Sequence, residues 1–293
     1  MVTGANGLLG QHLVAALMGA GFTVIATGKA GNRLPAGLEG TLRYYSADIT
    51  DEQSIHAIMR LEEPSMVVHA AAMTQVDECQ LRRDQSFEIN VLGTINMLAA
   101  AERTGSHFIY ISTDFVFDGE KGKYSEEDAH KPVNWYGFTK AQAEKHVGKS
   151  LLPWAIVRTG LVYGRPAEGA RSNIVTWVKE KLEKGEKIRV VSDQVRTPTY
   201  VEDLANGIRL MAEKEALGVF HIAGEDILTP YEVAIRTAGF LRLDADLVEK
   251  VDAASFSQPG IRPPVTDLLI GKARKELGYA PLSFGQGLEK MFL

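Results

Sequence analysis

The first half of the chain alternates short apolar runs with longer segments in which apolar residues recur at helical spacing. The runs that predict strands are Phe22–Thr27, Leu42–Tyr45, Met66–His69, Phe108–Ser112 and Ala155–Arg158. The segments that predict helices are Leu9–Met18, Glu52–Leu61, Asp84–Arg103 and Tyr136–Val147. Because parallel strands need a crossover connection, usually a helix, this alternation predicts an α/β fold built on a Rossmann-type, doubly wound parallel sheet.

After Arg158 the alternation gives way to a part of the chain punctuated by Pro and Gly. Helices are predicted there at Ser172–Lys184, Val201–Glu213 and Pro230–Phe240, with strands at Ile188–Val191 and Val219–Ile222. We therefore expect a dinucleotide-binding domain over residues 1–158 and a smaller C-terminal substrate lobe over residues 159–293. Segments around 188–207 and 217–224 are expected to return to the main domain.

Composition and charge argue against several kinds of partner. The 293 residues carry a net charge of −5, so no basic surface for nucleic acid is expected. No apolar run reaches membrane-spanning length and no signal peptide is apparent, so no membrane partner is expected. The single cysteine, Cys79, has no disulfide partner within the chain, which favours a cytoplasmic location, and no catalytic role is expected for it. The seven histidines form no close pairs at ligand spacing, so no metal is expected.

A glycine-rich turn opens the chain and leads directly into the first predicted helix. Its sequence is Gly4-Ala5-Asn6-Gly7-Leu8-Leu9-Gly10. Glycines at this spacing permit a tight turn and a close backbone approach to a pyrophosphate, and the helix that follows directs its free N–H groups at that charge. Only three residues precede Gly4, so the first strand is expected to be shorter than the usual ~5–6 residues.

The end of the second predicted strand indicates which dinucleotide is bound. An NAD site usually places a carboxylate there to hold the ribose 2′-hydroxyl. This chain has Thr27-Gly28-Lys29 instead, with Arg33 just beyond. Two cations suit the 2′-phosphate of NADPH, which is therefore the preferred cofactor. NADH stays open, since both side chains could equally be solvated in a polar loop.

A tyrosine and a lysine four residues apart are the candidate chemical groups. Tyr136 and Lys140 fall on one face of a predicted helix, where the ammonium would favour the ionised phenol and also reach the nicotinamide ribose. Tyr136 could then donate a proton to a ketone oxygen. Thr113 ends the strand before that helix and is the candidate hydrogen-bond donor to the same oxygen, although it could also merely close the strand.

With the glycine turn, Thr113 and the Tyr136–Lys140 pair in this order, the whole chain resembles the extended short-chain dehydrogenase/reductase family. Further landmarks are Asp48 and Ile49 after the third strand, Ala70, Ala71 and Ala72 after the fourth, and Asn90 in the next helix. The resemblance implies that Asp48 lies near the adenine and that Ile49 and the alanines lie along the cofactor. It also implies that Asn90 supports the fold.

Within that family, longer strings look like the dTDP-4-dehydrorhamnose reductase group. These strings are Thr74-Gln75-Val76-Asp77, Ser112-Thr113-Asp114-Phe115-Val116-Phe117-Asp118-Gly119, Pro132-Val133-Asn134-Trp135-Tyr136-Gly137, Asp193-Gln194, Pro198-Thr199, His221-Ile222-Ala223-Gly224 and Arg262-Pro263. The resemblance implies NADPH-dependent reduction of the C4 keto group of a nucleotide-linked 6-deoxy sugar. The residues it places at the sugar nucleotide are Val76, Asp77, Thr113, Asp114, Phe115, Trp135 and Arg262. It leaves a homodimer open.

Two departures from that group, and two alternative functions, remain. Phe115 stands where those reductases often have tyrosine, and Arg196-Thr197 replaces a more glycine-like segment, so the accepted sugar could differ. One alternative is a sugar-nucleotide epimerase or dehydratase of the same fold. Related dehydratases carry a glutamate where this chain has Phe115, which argues against elimination. The other alternative is a non-catalytic, NADP-binding regulatory subunit resembling that of methionine adenosyltransferase.

Overall fold

Seven parallel strands form the central sheet. The computed structural model describes residues 1–35, 37–38, 41–166 and 172–293. Its strands are β1 (Val2–Thr3), β2 (Val24–Gly28), β3 (Leu42–Ser46), β4 (Met66–His69), β5 (His107–Ile111), β6 (Trp154–Arg158), β7 (Val162–Tyr163), β8 (Ile188–Val191), β9 (Thr199–Tyr200), β10 (Gly218–His221) and β11 (Val248–Val251). The sheet order is β10-β6-β5-β4-β1-β2-β3, and every neighbouring pair is parallel. The Rossmann-type sheet predicted from the alternation is confirmed.

Helices cover both faces of this sheet. They are α1 (Leu8–Gly19), α2 (Glu52–Glu62), α3 (Val76–Leu81), α4 (Arg83–Phe87), α5 (Gly93–Thr104), α6 (Trp135–Val147), α7 (Ile174–Glu183), α8 (Val201–Glu213), α9 (Pro230–Leu241), α10 (Gly271–Leu277) and α11 (Phe284–Phe292). Adjacent strand residues face opposite layers: Phe108 packs with α2, α5 and α6, whereas Ile109 packs with α1 and α8. Burial on both faces explains why these strands read as continuous apolar runs. Within the described ranges, no helix is long and apolar enough to cross a membrane.

The predicted helix Asp84–Arg103 is interrupted in the structure. A π-helical turn at Glu88–Leu92 separates α4 from α5. Its central residue, Asn90, donates to the backbone oxygen of Met73 (2.9 Å) and to Oγ1 of Thr139 (3.0 Å), and it accepts from the N–H of Met73 (2.8 Å). A wider turn at this point lets one buried amide hold the loop after β4 and helix α6 together.

The C-terminal part of the chain is divided between two packing layers. Strand β10 extends the main sheet beside β6, and α8 packs against α1. Strand β8 lies outside the main sheet, because it pairs with β11 and packs with α7 and α9 around a separate apolar cluster. The segment around 188–207 therefore joins two environments: its first strand belongs to the small lobe and its last residues to a helix on the main sheet.

A buried ion pair fastens α6 to the end of β6. Glu144 and Arg158 are each only 3% exposed, and the Arg158 guanidinium donates to both carboxylate oxygens of Glu144 over 2.8–3.2 Å. His130 Nε2 lies 2.8 Å from the same carboxylate, and Ser112 donates to it from the end of β5. Burial alone would raise the pKa of Glu144, but the bonds from His130 and Arg158 outweigh it and hold the pKa at about 2.

We expect Glu144→Ala to lower the free energy of unfolding by about 3–5 kcal/mol, because it leaves the Arg158 guanidinium buried without its carboxylate. Urea denaturation followed by circular dichroism measures this change. Glu180→Ala is the control, since it removes an exposed partner of Lys184 on α7 and should leave the midpoint nearly unchanged. Equal shifts for the two variants would contradict a structural role for the buried pair.

Candidate active site

A cavity of about 740 Å³ lies at the carboxyl ends of β1, β4 and β5. In an open parallel sheet this is where ligands bind, at the point where the strand order reverses. Of the residues predicted from the sequence, those that line the cavity are Gly4, Asn6, Gly7, Leu8, Leu9, Gly10, Lys29, Ile49, Ala70, Ala71, Ala72, Thr113, Asp114, Tyr136 and Lys140. Those outside its lining are Arg33, Asp48, Val76, Asp77, Phe115, Trp135 and Arg262.

The glycine turn is packed too closely for any side chain at two of its positions. Gly4 has a φ of +69°, and a Cβ on it would lie 2.8 Å from the backbone nitrogen of Ala71. A Cβ on Gly10 would lie 2.3 Å from the backbone oxygen of Gly4. Helix α1 begins at Leu8 without a side-chain cap and without acidic residues in its first turn. This cradle, which a Cβ would fill, fits a dinucleotide pyrophosphate held by backbone N–H groups.

The side chain of Asn6 fixes the loop after β2 against this turn. Its amide donates to the backbone oxygen of Gly31 (3.0 Å) and to the hydroxyl of Tyr44 (2.8 Å), and it accepts from the N–H of Arg33 (3.0 Å). Asn6 lines the cavity, but its side-chain amide bonds to the loop after β2 and to Tyr44 on β3. It therefore sets the position of the segment that would surround the adenosine ribose.

Lys29 is engaged by a carboxylate. Its ammonium lies 2.8 Å from Oδ2 of Asp48, and both side chains are partly exposed. Asp48 also accepts from the N–H of Thr50 at 3.0 Å, which fixes its orientation. Arg33 is exposed, and its backbone rather than its side chain is held by Asn6. A 2′-phosphate bound at this edge would therefore compete with the Asp48 carboxylate for the Lys29 ammonium.

The start of α6 is pressed against the short turn that follows Thr113. Asn134 caps the helix by accepting from the N–H of Gly137 at 2.8 Å. A Cβ on Gly137 would lie 2.0 Å from the backbone oxygen of Phe115, so only glycine allows this approach. The contact brings Tyr136 beside Thr113, whose hydroxyl bonds with the tyrosine phenol and lowers its pKa.

The phenol of Tyr136 is nevertheless held in its neutral form. Burial raises the pKa of Tyr136 well above its ordinary value, and the bond from Thr113 offsets only part of that rise. The sequence led us to expect that Lys140 would favour the ionised phenol. In the structure burial is the largest effect on the pKa of Tyr136. The influence of Lys140 on the phenol stays a prediction.

Lys140 is buried in the wall of the cavity. Its ammonium lies 4.1 Å from the centroid of the Tyr110 ring, a cation–π contact. Burial lowers the pKa of Lys140 to about 7, against the opposing effect of the Glu144 carboxylate one helical turn further on. An ammonium whose charge is so poorly solvated gains from any anionic or hydroxyl group that a ligand brings into the cavity.

Three of the residues expected at the sugar nucleotide join α3 to the C-terminal lobe. Arg262 forms a two-pronged ion pair with Asp77, over 2.6 and 2.7 Å, and the N–H of Gly260 donates to the same carboxylate at 3.1 Å. Val76 packs directly against Gly260, where a Cβ would lie 2.7 Å from Cγ1 of Val76. The structure thus brings Val76, Asp77 and Arg262 together as a contact between the two lobes.

Two aromatic side chains of the same predicted set are held by other parts of the chain. Trp135 donates from its indole nitrogen to the backbone oxygen of Arg83 (3.1 Å) and stacks on Phe138. The ring of Phe115 stands edge-on to the ring of Tyr136, with 6.2 Å between centroids. Both aromatic rings border α6, but neither lines the cavity.

Several cavity residues were missed by reasoning from the sequence. They include Thr27, Met73, Thr74, Arg82, Gln85, Ile89, Thr159, Gly160, Leu161 and Val162. Arg82 and Gln85 lie three residues apart at the junction of α3 and α4, in a stretch whose charged residues look like a solvated surface. Thr159 follows β6 directly, and position after a strand end was the one signal that could have identified it.

Comparisons with known proteins agree with this geometry. A family model described as the RmlD substrate-binding domain matches residues 1–293. The chain is 31% identical over 285 residues to a dTDP-4-keto-6-deoxy-D-glucose reductase of Streptomyces niveus, covering 96% of this chain and 92% of that protein. It is 30% identical over 280 residues to methionine adenosyltransferase 2 subunit beta of Rattus norvegicus, covering 94% and 77%. A crystal structure of dTDP-4-dehydrorhamnose reductase from Bacillus anthracis in complex with NADP superposes with a TM-score of 0.85 at 27% identity, covering 99% of this chain and 97% of that one.

We expect Gly10→Ala to weaken NADPH binding at least about tenfold, since the new Cβ displaces the backbone of the cradle by more than a hydrogen bond tolerates. Fluorescence titration measures the Kd, and thermal unfolding checks that the variant folds. Gly19→Ala in the same helix is the matched control, because nothing lies within 4 Å of its Cβ. Unchanged NADPH affinity in folded Gly10→Ala would mean that the turn does not hold the pyrophosphate.

Proposed function

The chain belongs to the RmlD substrate-binding domain family, and from this premise we propose that it reduces the C4 keto group of a nucleotide-linked 6-deoxy sugar with NADPH. One observation carries the proposal: Thr113, Tyr136 and Lys140 line the same cavity as the glycine turn. A proton donor and a dinucleotide cradle within one cavity are what carbonyl reduction requires. The candidate site residues predicted from the sequence are retained as the proposed site.

The substrate class follows from what the similar proteins have in common. One is named for a dTDP-4-keto-6-deoxy sugar and another for dTDP-4-dehydrorhamnose. Both names describe a dTDP-linked sugar that carries a ketone. We propose a dTDP-linked 4-keto-6-deoxy sugar for this chain as well. Phe115 places a ring without a hydroxyl next to Tyr136, outside the lining of the cavity.

In the proposed complex the backbone of Gly4, Gly7 and Gly10 would hold the pyrophosphate, and Lys29 the 2′-phosphate. Bound NADPH would supply the hydride that reduces the carbonyl carbon. Tyr136 gives its phenolic proton to the carbonyl oxygen. The phenol is protonated at neutral pH, so its proton is available when that oxygen becomes basic.

Thr113 and Lys140 complete the proposed arrangement. Thr113 sits beside the phenol of Tyr136 and would donate its hydroxyl hydrogen to the same carbonyl oxygen. The Lys140 ammonium would stabilise the phenolate that Tyr136 leaves behind. Its charge is incompletely compensated while the cavity holds no anion, and a phenolate formed one helical turn away would provide one.

A regulatory role is the second candidate, because a relative of similar identity is named as a subunit of methionine adenosyltransferase. Such a subunit would bind NADPH without turning over a keto sugar. The intact set of Thr113, Tyr136 and Lys140 favours the reductase. Elimination is disfavoured, because Phe115 supplies no carboxylate next to Asp114 for a second acid–base step. Epimerisation is disfavoured, because the second strand ends in Thr27-Gly28-Lys29 without the acid of an NAD site.

We expect Tyr136→Phe to lower kcat for NADPH-dependent reduction of dTDP-4-dehydrorhamnose by about 10²- to 10⁴-fold, the usual contribution of a general acid. NADPH consumption measures kcat, and fluorescence titration should show that NADPH still binds. Tyr231→Phe on α9 is the control, because Tyr231 does not line the cavity. If the unaltered protein binds NADPH tightly but reduces none of the related 4-keto sugars, the regulatory role replaces the reductase.

We expect Lys29→Ala to raise the KM for NADPH about 10- to 100-fold, the loss of one charge-assisted contact, with little change in the KM for NADH. The two values from steady-state kinetics give the cofactor preference directly. Lys184→Ala, which removes an exposed lysine at the end of α7, serves as the charge-matched control. An equal effect on both cofactors would show that Lys29 acts through its bond to Asp48 and not through the 2′-phosphate.

A further inference from the structure

The carboxyl group of Asp114 is enclosed between two hydroxyl groups. Asp114 follows Thr113 at the end of β5 and is 2% exposed. Its Oδ1 lies 3.0 Å from Oγ1 of Thr113, and its Oδ2 accepts from the hydroxyl of Thr266 in the C-terminal lobe. Gly160 closes the third side, where a Cβ would lie 3.0 Å from Cγ of Asp114. Each carboxyl oxygen therefore has a hydroxyl partner from the protein, and a side chain larger than that of glycine would not fit at position 160.

No cation is bonded to this carboxyl group within the described part of the chain. Two titratable or charged groups face it: the Arg196 guanidinium from the loop before β9 and the Tyr136 phenol from α6. The Arg196 guanidinium donates instead to the backbone oxygens of Val195, Pro263 and Pro264 and to the side-chain oxygen of Gln194. Burial raises the pKa of Asp114, and the opposing effects of Arg196 and the hydroxyl groups are smaller.

The hydrogen bonds of Thr113 depend on whether Asp114 is ionised. A threonine hydroxyl has one hydrogen to donate and two lone pairs to accept with. One lone pair already accepts from the N–H of Phe115 at 3.2 Å. If Asp114 is a carboxylate, the single hydrogen of Thr113 must point at it and none is left for a substrate. If Asp114 is a neutral acid, it donates to the second lone pair, and the Thr113 hydrogen bonds to the neighbouring Tyr136 phenol and can turn to a substrate oxygen.

We propose that Asp114 is a positioning residue that remains a neutral acid, donates to Thr113, and thereby directs the Thr113 hydroxyl hydrogen at the substrate carbonyl. The inference rests on the proposed function, because the carbonyl belongs to the proposed substrate. The two carboxyl oxygens then have different roles: Oδ1 carries the hydrogen toward Thr113, and Oδ2 accepts from Thr266. Thr266 is wholly buried and selects this orientation by donating to only one oxygen.

A comparison of Asp114→Asn with Asp114→Ala tests this orientation through turnover. We expect Asp114→Ala to lower kcat at least about tenfold, the effect of one lost hydrogen bond. Asp114→Asn should recover most of that loss, because its NH₂ group donates to Thr113 and its oxygen accepts from Thr266. A loss in Asp114→Asn as large as in Asp114→Ala, with both variants folded, would overturn the inference.

The pH dependence of the two proteins gives a second readout. As pH rises, ionisation of Asp114 reverses its bond to Thr113, so kcat of the wild type should fall, whereas asparagine cannot ionise. The ratio of kcat for Asp114→Asn to that of the wild type should therefore rise with pH. Other titrating groups, Lys140 among them, are common to both proteins and cancel in this ratio. A ratio that falls as pH rises, or a ratio independent of pH in a protein whose Asp114 is ionised throughout, would overturn the inference.

Infrared spectroscopy of the protein without substrate separates this inference from the proposed function. At neutral pH the wild type should show the carbonyl stretch of a buried carboxylic acid, which Asp114→Asn should lack. Asp118→Asn is the matched control, because bonds from Lys131 and Tyr124 hold the pKa of Asp118 well below its usual range and no acid band should disappear. Absence of the Asp114 band overturns the inference whatever the turnover. Its presence in a protein that reduces no keto sugar supports a neutral Asp114 and contradicts the proposed function alone.

Discussion

The attachment of α6 to the sheet is the constraint on which the rest of the site depends. Tyr136 and Lys140 lie on the first half of that helix, and Glu144 on its second half is bound by Arg158 at the end of β6. Burying two charges is unfavourable unless their geometry is good and their remaining hydrogen bonds are satisfied. Here His130 and Ser112 bond to the remaining positions of the Glu144 carboxylate. The Glu144–Arg158 pair therefore fixes α6 at its C-terminal end. The close contact of Gly137 with Phe115 fixes the other end.

Burial drives the groups of the site toward their neutral forms. It raises the pKa of Tyr136 and Asp114 and lowers the pKa of Lys140 to about 7. A solvated site would hold a carboxylate and an ammonium at neutral pH. Burial shifts the balance toward the forms that keep their hydrogens on oxygen, where they can be donated to a carbonyl. The low polarity that makes each charge costly also strengthens every hydrogen bond formed with the reacting oxygen.

The sequence predicts the sheet and the chemical groups better than their electrostatics. Strand–helix alternation is a local signal, because short apolar runs and helical spacing of apolar residues can be recognised within a few residues. It therefore predicted the parallel sheet correctly. The interruption at Glu88–Leu92 was missed because it depends on bonds from Asn90 to Met73, seventeen residues away. The partner of Arg262 lies 185 positions earlier in the chain, and no local pattern indicates it. The burial that raises the pKa of Tyr136 was missed for a related reason, since spacing on a helix carries no information about burial.

Contacts between the lobes link the proposed substrate site to the reacting groups. Arg262 reaches Asp77 on α3, and four residues later Thr266 reaches Asp114 beside Thr113. One short segment of the C-terminal lobe thus fixes both the wall expected to receive the sugar nucleotide and the carboxyl group beside Thr113. In the proposed function, sugar binding and the reacting groups therefore depend on the same short segment, because Arg262 and Thr266 lie only four positions apart in it.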